Sequence, residues 1–256
     1  MYFRPAAATR LRFVVAVSVA ITLSGAMLSP GPVAAADPDV HTPPWADSFY
    51  GNWGGVDFTP SAVDFVSIVG AHGYTAFKAN VSTFTAIGDA NGWDDAVWAF
   101  YGHANAGFMQ MVVGADSTYL YANQASLPSG STCGAGRAAC LSGPGFAKLH
   151  DVRFMLFAGC HTANVGSTGI SLQQGANNVG VDSSLAFSNY IYPNGAVWKL
   201  WNQTFFTATT ANGQTVLAAG AAAEDAVWAK YHLYEGVTSA VVWGPGTKLK
   251  PAAYGS

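Results

Sequence analysis

Two short apolar runs constrain this chain more than any other feature: AVWAFYG, Ala96 to Gly102, and VRFMLFAG, Val152 to Gly159. Neither alternates polar with apolar residues and neither is as long as an ordinary helix, so each reads as a strand buried on both faces. Strands of that kind belong to parallel sheets covered on both sides. The first run is entered through Asp94-Asp95 and left through His103-Ala104-Asn105; the second is entered through Asp151 and left through Cys160. Buried strands are also expected near Val179 to Phe187 and Val237 to Trp243, with shorter ones at Met109 to Val113 and in GYTAFKA, Gly73 to Ala79.

Helical periodicity fills the gaps. Val197, Leu200, Trp201 and Phe205 recur at three- and four-residue spacings within Ala196 to Thr207, and Val216, Ala219, Gly220, Ala223 and Val227 repeat the pattern. Ser61 to Ala71 follows Pro60, with Thr59 as the expected cap and an apolar face of Ala62, Phe65, Val66 and Val69. Helices alternating with buried strands predict an α/β chain, a three-layer α/β/α sandwich around a mostly parallel central sheet.

The N-terminus bears on compartment. Arg4, Arg10 and Arg12 precede an apolar run from Phe13 to Leu28; Ser29-Pro30-Gly31-Pro32 then breaks any helix, and Ala34-Ala35-Ala36 offers a cleavage site before Asp37. This is the pattern of a secretory signal peptide over residues 1–36, and it predicts an extracellular protein whose single domain spans residues 37–256. No later stretch reaches the ~20 apolar residues of a spanning helix, so no membrane span is expected after the leader is removed. Without the leader arginines, 8 basic residues remain against 14 acidic ones. Nucleic acid is therefore not an expected partner, because phosphate binding needs clustered Lys and Arg.

Three cysteines follow from the same compartment. Cys133 and Cys140 bracket CGAGRAAC within the long polar stretch from Gly114 to Pro144, and in an oxidising environment they are a ready disulfide. Closing that loop would stabilise the fold by about 2–3 kcal/mol through the unfolded chain's entropy. Cys160 is left odd, and an odd cysteine is inert in the core, bridged to another chain, or a reactive thiol.

In open α/β sheets, functional groups gather beyond the carboxyl ends of the strands. Two such ends carry His103 and Cys160, the pair of residue types that makes a thiolate beside an imidazolium. WAFYGHANAG and FMLFAGCHTA resemble the two signature strands of the caspase-like cysteine peptidases, the group of caspases, legumains, gingipains, clostripain and separase. The 57-residue spacing from His103 to Cys160 suits that pattern, and the resemblance extends over Phe49 to Trp243. It implies a caspase- or gingipain-like fold, Cys160 as nucleophile, His103 as proton carrier, and an oxyanion held by the backbone amides of Ala104 and Cys160. The family usually has glycine where Ala104 stands; an alanine there would be strained if the loop required positive φ, and Gly102 is the alternative place for a tight turn.

Asp182 is a candidate acidic group for a substrate side-chain pocket, where it would select Lys or Arg, but a structural place at a strand end is the favoured expectation. His161 is expected to point away from the pair, and His41, His72, His150 and His232 to serve at the surface or at helix ends. The eight tryptophans fall mostly in periodic apolar segments, so they read as core and not as a carbohydrate surface. No metal-ligand spacing, G-x-S-x-G, Walker or dinucleotide motif is present, so neither metal nor cofactor is expected. Two functions remain: a secreted cysteine endopeptidase acting on a protein or peptide through an acyl-enzyme, or a non-catalytic exported protein using the same fold for binding at the cell envelope.

Overall fold

The structure is a computed structural model that describes residues 44–52, 55–80, 95–113, 116–135, 138–142, 152–166, 169–191, 195–232, 239–244 and 246–251. The expected leader, His41, His150 and Asp151 lie outside these residues. The strands are β1 (Trp45–Tyr50), β2 (Thr75–Asn80), β3 (Asp95–Tyr101), β4 (His103–Asn105), β5 (Phe108–Val113), β6 (Asp116–Tyr121), β7 (Ala138–Cys140), β8 (Phe154–Ala158), β9 (Ser183–Phe187) and β10 (Ala240–Trp243). The helices are α1 (Thr59–Ala71), α2 (Leu172–Asn178), α3 (Gly195–Phe206) and α4 (Val216–Tyr231), with a π-helical turn at Thr207–Ala211.

Six strands form the central sheet in the order β10-β9-β8-β3-β1-β2, parallel except for β10. The apolar runs at Ala96 and Val152 are its adjacent central strands, β3 and β8. Alternate residues feed two cores. Ala99, Tyr101, Phe154, Leu156 and Ala158 face α1, α3 and α4, whereas Trp98, Phe100, Met155 and Phe157 face α2 and a second, four-stranded sheet, β4-β5-β6-β7. The fold is thus a mixed α/β sandwich with helices on both faces of a mostly parallel sheet.

Several sequence expectations shift. The polar stretch after Gly114 contains β6 and β7, which build the second sheet with β4 and β5. The strand expected from Val179 begins only at Ser183: Val181 is buried, yet Val179 to Asp182 form the turn after α2. The last strand is an antiparallel edge with Val241 and Trp243 exposed, so it is buried on one side and not on both. Thr59 is the first residue of α1 and does not cap it. Instead, the Asp57 carboxylate accepts the Thr59 N–H at 2.9 Å and Asn52 Oδ1 accepts the Phe58 N–H at 2.8 Å. Of the described tryptophans, Trp98, Trp198 and Trp201 are in the core, Trp45 and Trp228 are half-buried and Trp243 is exposed, while Trp53 and Trp93 lie outside the described residues.

Two residues fix the carboxyl edge of the sheet. The fully buried Thr162 donates its hydroxyl to Phe157 O at 2.8 Å and accepts the Phe187 N–H at 3.0 Å, fastening the turn after β8 to the end of β9. Gly159 joins the two sheets: a Cβ there would lie 2.4 Å from the Ala104 methyl and 3.0 Å from Gly102 O. Replacing Thr162 by Val strands a buried donor and acceptor at nearly constant volume, and should lower unfolding free energy by about 1–3 kcal/mol in urea titrations. Gly159→Ala must push backbone apart and is expected to cost a comparable amount, about 1–3 kcal/mol.

Candidate active site

The register of the central strands sets the geometry. β3 and β8 pair from Val97↔Phe154 to Tyr101↔Ala158, and the Gly102 N–H donates to Ala158 O at 3.3 Å, carrying the pairing one residue further. Both chains then continue through a glycine, Gly102 and Gly159, to the residue two beyond the last paired position: His103 on one, Cys160 on the other. His103 and Cys160 therefore stand just beyond the carboxyl ends of adjacent strands.

Cys160 is a free, half-buried cysteine packed against the α1/α3/α4 core. Its sulfur accepts the Ile191 N–H at 3.5 Å. Ile191 is buried and ends a strap, Ser188 to Ile191, that crosses beside the cysteine. Ser188 N donates to Ser239 O at 2.9 Å and Asn189 N to Ser239 Oγ at 3.2 Å, so the strap is anchored to the segment entering β10. Among the described residues, the amide of Cys160 itself has no acceptor.

His103 opens β4, where it is half-buried opposite Gln110. Burial disfavours the imidazolium and holds its pKa below the ordinary histidine value. Ala104 carries no positive φ; it lies in extended β4 with its methyl buried against Gly159, and Gly102 needs no positive φ either. The strain anticipated at Ala104 is therefore absent. The left-handed residue is instead His161, at φ 56°, which turns the chain immediately after the sulfur. Its ring leaves the pair and meets Tyr190 edge-on at 4.5 Å between centroids, while its N–H donates to Asn189 O at 3.1 Å. Asn164 completes this turn by donating to Ser188 O at 3.1 Å.

Asp182 does not join the site. β8 and β9 are parallel with Phe154 opposite Ser183, so Asp182 is level with Arg153 at the amino end of the sheet. Cys160 lies beyond the carboxyl end, about a strand length or ~20 Å away at ~3.3 Å per residue. There Asp182 faces Arg153 Nε at 3.8 Å; burial raises its pKa and the guanidinium opposes the rise. The structural place at a strand end, and not the pocket, is the one it occupies. His72 bonds Thr210 Oγ1 at 2.8 Å through Nδ1, and His232 caps α4 in the left-handed region against Trp228, so both are fold residues at helix ends. Sequence reasoning missed the strap and Thr162: the strap's position depends on Ser239, 51 residues from Ser188, and a buried threonine inside a polar turn carries no pattern.

Cys133 and Cys140 form the expected disulfide, with Cα atoms 5.5 Å apart. No described helix is long and apolar enough to cross a membrane.

Comparison with known proteins adds one finding to this geometry. No protein-family model matches the chain, and no curated protein matches it. Among solved structures it is similar to the Arg-specific cysteine proteinase gingipain R, with a TM-score of 0.54 and 12% sequence identity, covering 80% of this chain and 47% of that one. The chain thus spans about half the length of the proteinase that it resembles. What the two share is the fold, and the chain has the gingipain-like caspase architecture.

Proposed function

We propose that this protein is an exported cysteine peptidase in which Cys160 is the nucleophile and His103 the proton carrier. The observation that supports the reading is that β3 and β8 are adjacent parallel strands, paired to Tyr101↔Ala158, and that a free cysteine and a histidine follow two residues beyond their carboxyl ends. The likeness in fold to a cysteine proteinase supports it. The predicted leader and the disulfide agree with export.

The chemistry runs in two halves. Cys160 Sγ attacks the scissile carbonyl carbon while His103 takes the thiol proton; the new S–C bond places the displaced pair on the carbonyl oxygen. The amides of Cys160 and Ala104 are assigned to that oxyanion, that of Cys160 having no acceptor among the described residues. As the C–N bond breaks, His103 passes its proton to the leaving amine and a thioester remains. Water then adds to the thioester, giving a proton to His103, and the proton returns to sulfur as the S–C bond breaks and the acid departs. The substrate is a protein or peptide. The arginine preference in gingipain's name is not extended to this chain, since Asp182 lies at the other end of β9.

Native, unreduced full-length protein exposes one thiol to iodoacetamide, because the other two cysteines are bonded to each other. Labelling of Cys160 near pH 6 should be rapid and should slow at least tenfold in His103→Ala. Hydrolysis of a mixed peptide library should vanish in Cys160→Ala and fall by about 10²–10⁴ in His103→Ala. Labelling that ignores the histidine would leave the non-catalytic binding protein as the surviving reading.

The pH profile has a definite sign. Burial keeps the His103 imidazole neutral to lower pH than the ordinary value of 6.5, so the proton acceptor persists into mild acid. The acid limb of kcat/KM should therefore fall below pH 6.5; a limb above it would contradict the assignment of His103.

A further inference from the structure

The second sheet has an outer face that the chemistry above does not use. Register places His103 opposite Gln110, Gln110 opposite Tyr119, and Tyr119 opposite Ala138. Directly opposed residues share a face, so this row crosses all four strands on one side of the sheet. The neighbouring row, Ala104, Met109, Leu120 and Ala139, is buried against the central sheet, which turns the His103 row outward. A third row, Asn105, Phe108, Tyr121 and Cys140, shares the outer face.

That face is aromatic. Tyr119 and Tyr121 stack at 6.0 Å with 25° between planes, and Phe108 tilts against both at 6.2 and 5.6 Å. Gln110 holds the Tyr119 hydroxyl at 3.2 Å. Described residues between Pro128 and Ala135, with Ala138, border the tyrosines around a cleft of about 650 Å³, lined among the described residues by Tyr119, Tyr121, Pro128, Ser131, Thr132 and Ala138. The wall is built and not incidental: Gln124 accepts the Cys133 N–H at 2.9 Å and donates to Ser131 O at 2.7 Å, and the Cys133–Cys140 bridge ties the loop to β7.

We infer that this cleft is an extended substrate subsite that binds a proline-rich segment of the polypeptide to be cleaved. The inference rests on the peptidase reading and deepens it. Two strand spacings of ~4.8 Å separate His103 from Tyr119, so the cleft begins about 10 Å from the proton carrier, the reach of three extended residues. A chain lying across a sheet face cannot add to its hydrogen-bond ladder. Polyproline II needs no such pairing, and its rings dock on aromatic grooves. The hydroxyls of Ser131 and Thr132 and the tyrosines supply donors for its free carbonyls.

The test uses full-length Cys160→Ala, which binds without cleaving, and calorimetric titration with an uncharged twelve-residue proline-rich peptide and its alanine-for-proline counterpart. The expected result is binding of the proline peptide alone, weakened at least tenfold by Tyr119→Ala and by Ser131→Trp, which fills the cleft from its exposed rim without touching the core. Iodoacetamide labelling of Cys160 in the same two variants, on the wild-type background, reports separately on the thiol and fold. Equal affinity for both peptides, or affinity indifferent to both substitutions while labelling still depends on His103, overturns the subsite and leaves the peptidase intact. Tyr119-dependent binding of a chitin oligosaccharide in place of the peptide overturns the choice of ligand. Labelling that ignores His103 overturns the peptidase reading, and the subsite with it.

Discussion

The molecule depends on one close approach. At Gly159 the chain leaving β8 passes so near the chain leaving β3 that a single methyl would collide with the Ala104 side chain and press on Gly102 O. Only at that spacing can the first chain step out of the central sheet into β4 while the second turns beneath it. The approach does two things at once. It seals the second sheet onto the core through Ala104 and Met109, and it leaves His103 and Cys160 just beyond the carboxyl ends of two adjacent strands. Glycine serves here because it lacks a side chain, not because of its backbone freedom, since neither Gly102 nor Gly159 has positive φ.

Beyond that contact, the cysteine's setting is held by short polar bonds. Thr162 spans β8 and β9, the left-handed His161 reverses the chain, and Asn164 and Asn189 lock the turn to the strap. The strap brings the Ile191 amide to the sulfur and is itself pinned to Ser239. A thiol so placed sits on rigid elements, the condition a reactive geometry would need to be held without reorganisation. The left-handed histidine carries backbone strain of the kind that concentrates at functional sites, and the surrounding bonds offset it.

What could be read from the sequence divides along physical lines. β3 and β8 were legible because both of their faces are buried, which leaves an unbroken apolar run. β1, although adjacent to β3, was not seen, because Asp47 and Ser48 interrupt it and yet are buried in place. β6 and β7 hid in a stretch of Ser, Thr, Tyr and Gly because their sheet packs on one face only. Asp182 was misplaced for a related reason: Val179 and Val181 extend the apolar run of β9 backwards through a turn, and so move its apparent start towards α2. The His103–Cys160 pair was legible as two strand ends, but their adjacency was a matter of sheet order, which local sequence does not encode. The aromatic outer face of the second sheet became visible only with the register, since Phe108, Tyr119 and Tyr121 come from two strands and acquire meaning as a group.

The central proposal is that the adjacent ends of β3 and β8 set the Cys160 sulfur beside the His103 imidazole. It is tested most directly by following His103 in the ¹⁵N-histidine NMR spectrum, assigned with His103→Gln, before and after Cys160 is blocked as its methyl disulfide. If the two side chains are in contact, converting the thiol to a neutral, bulkier group shifts the His103 ring resonances and moves their titration midpoint. Superimposable titrations of His103 in the free and blocked protein, with changes confined to the sequence neighbour His161, would contradict the account.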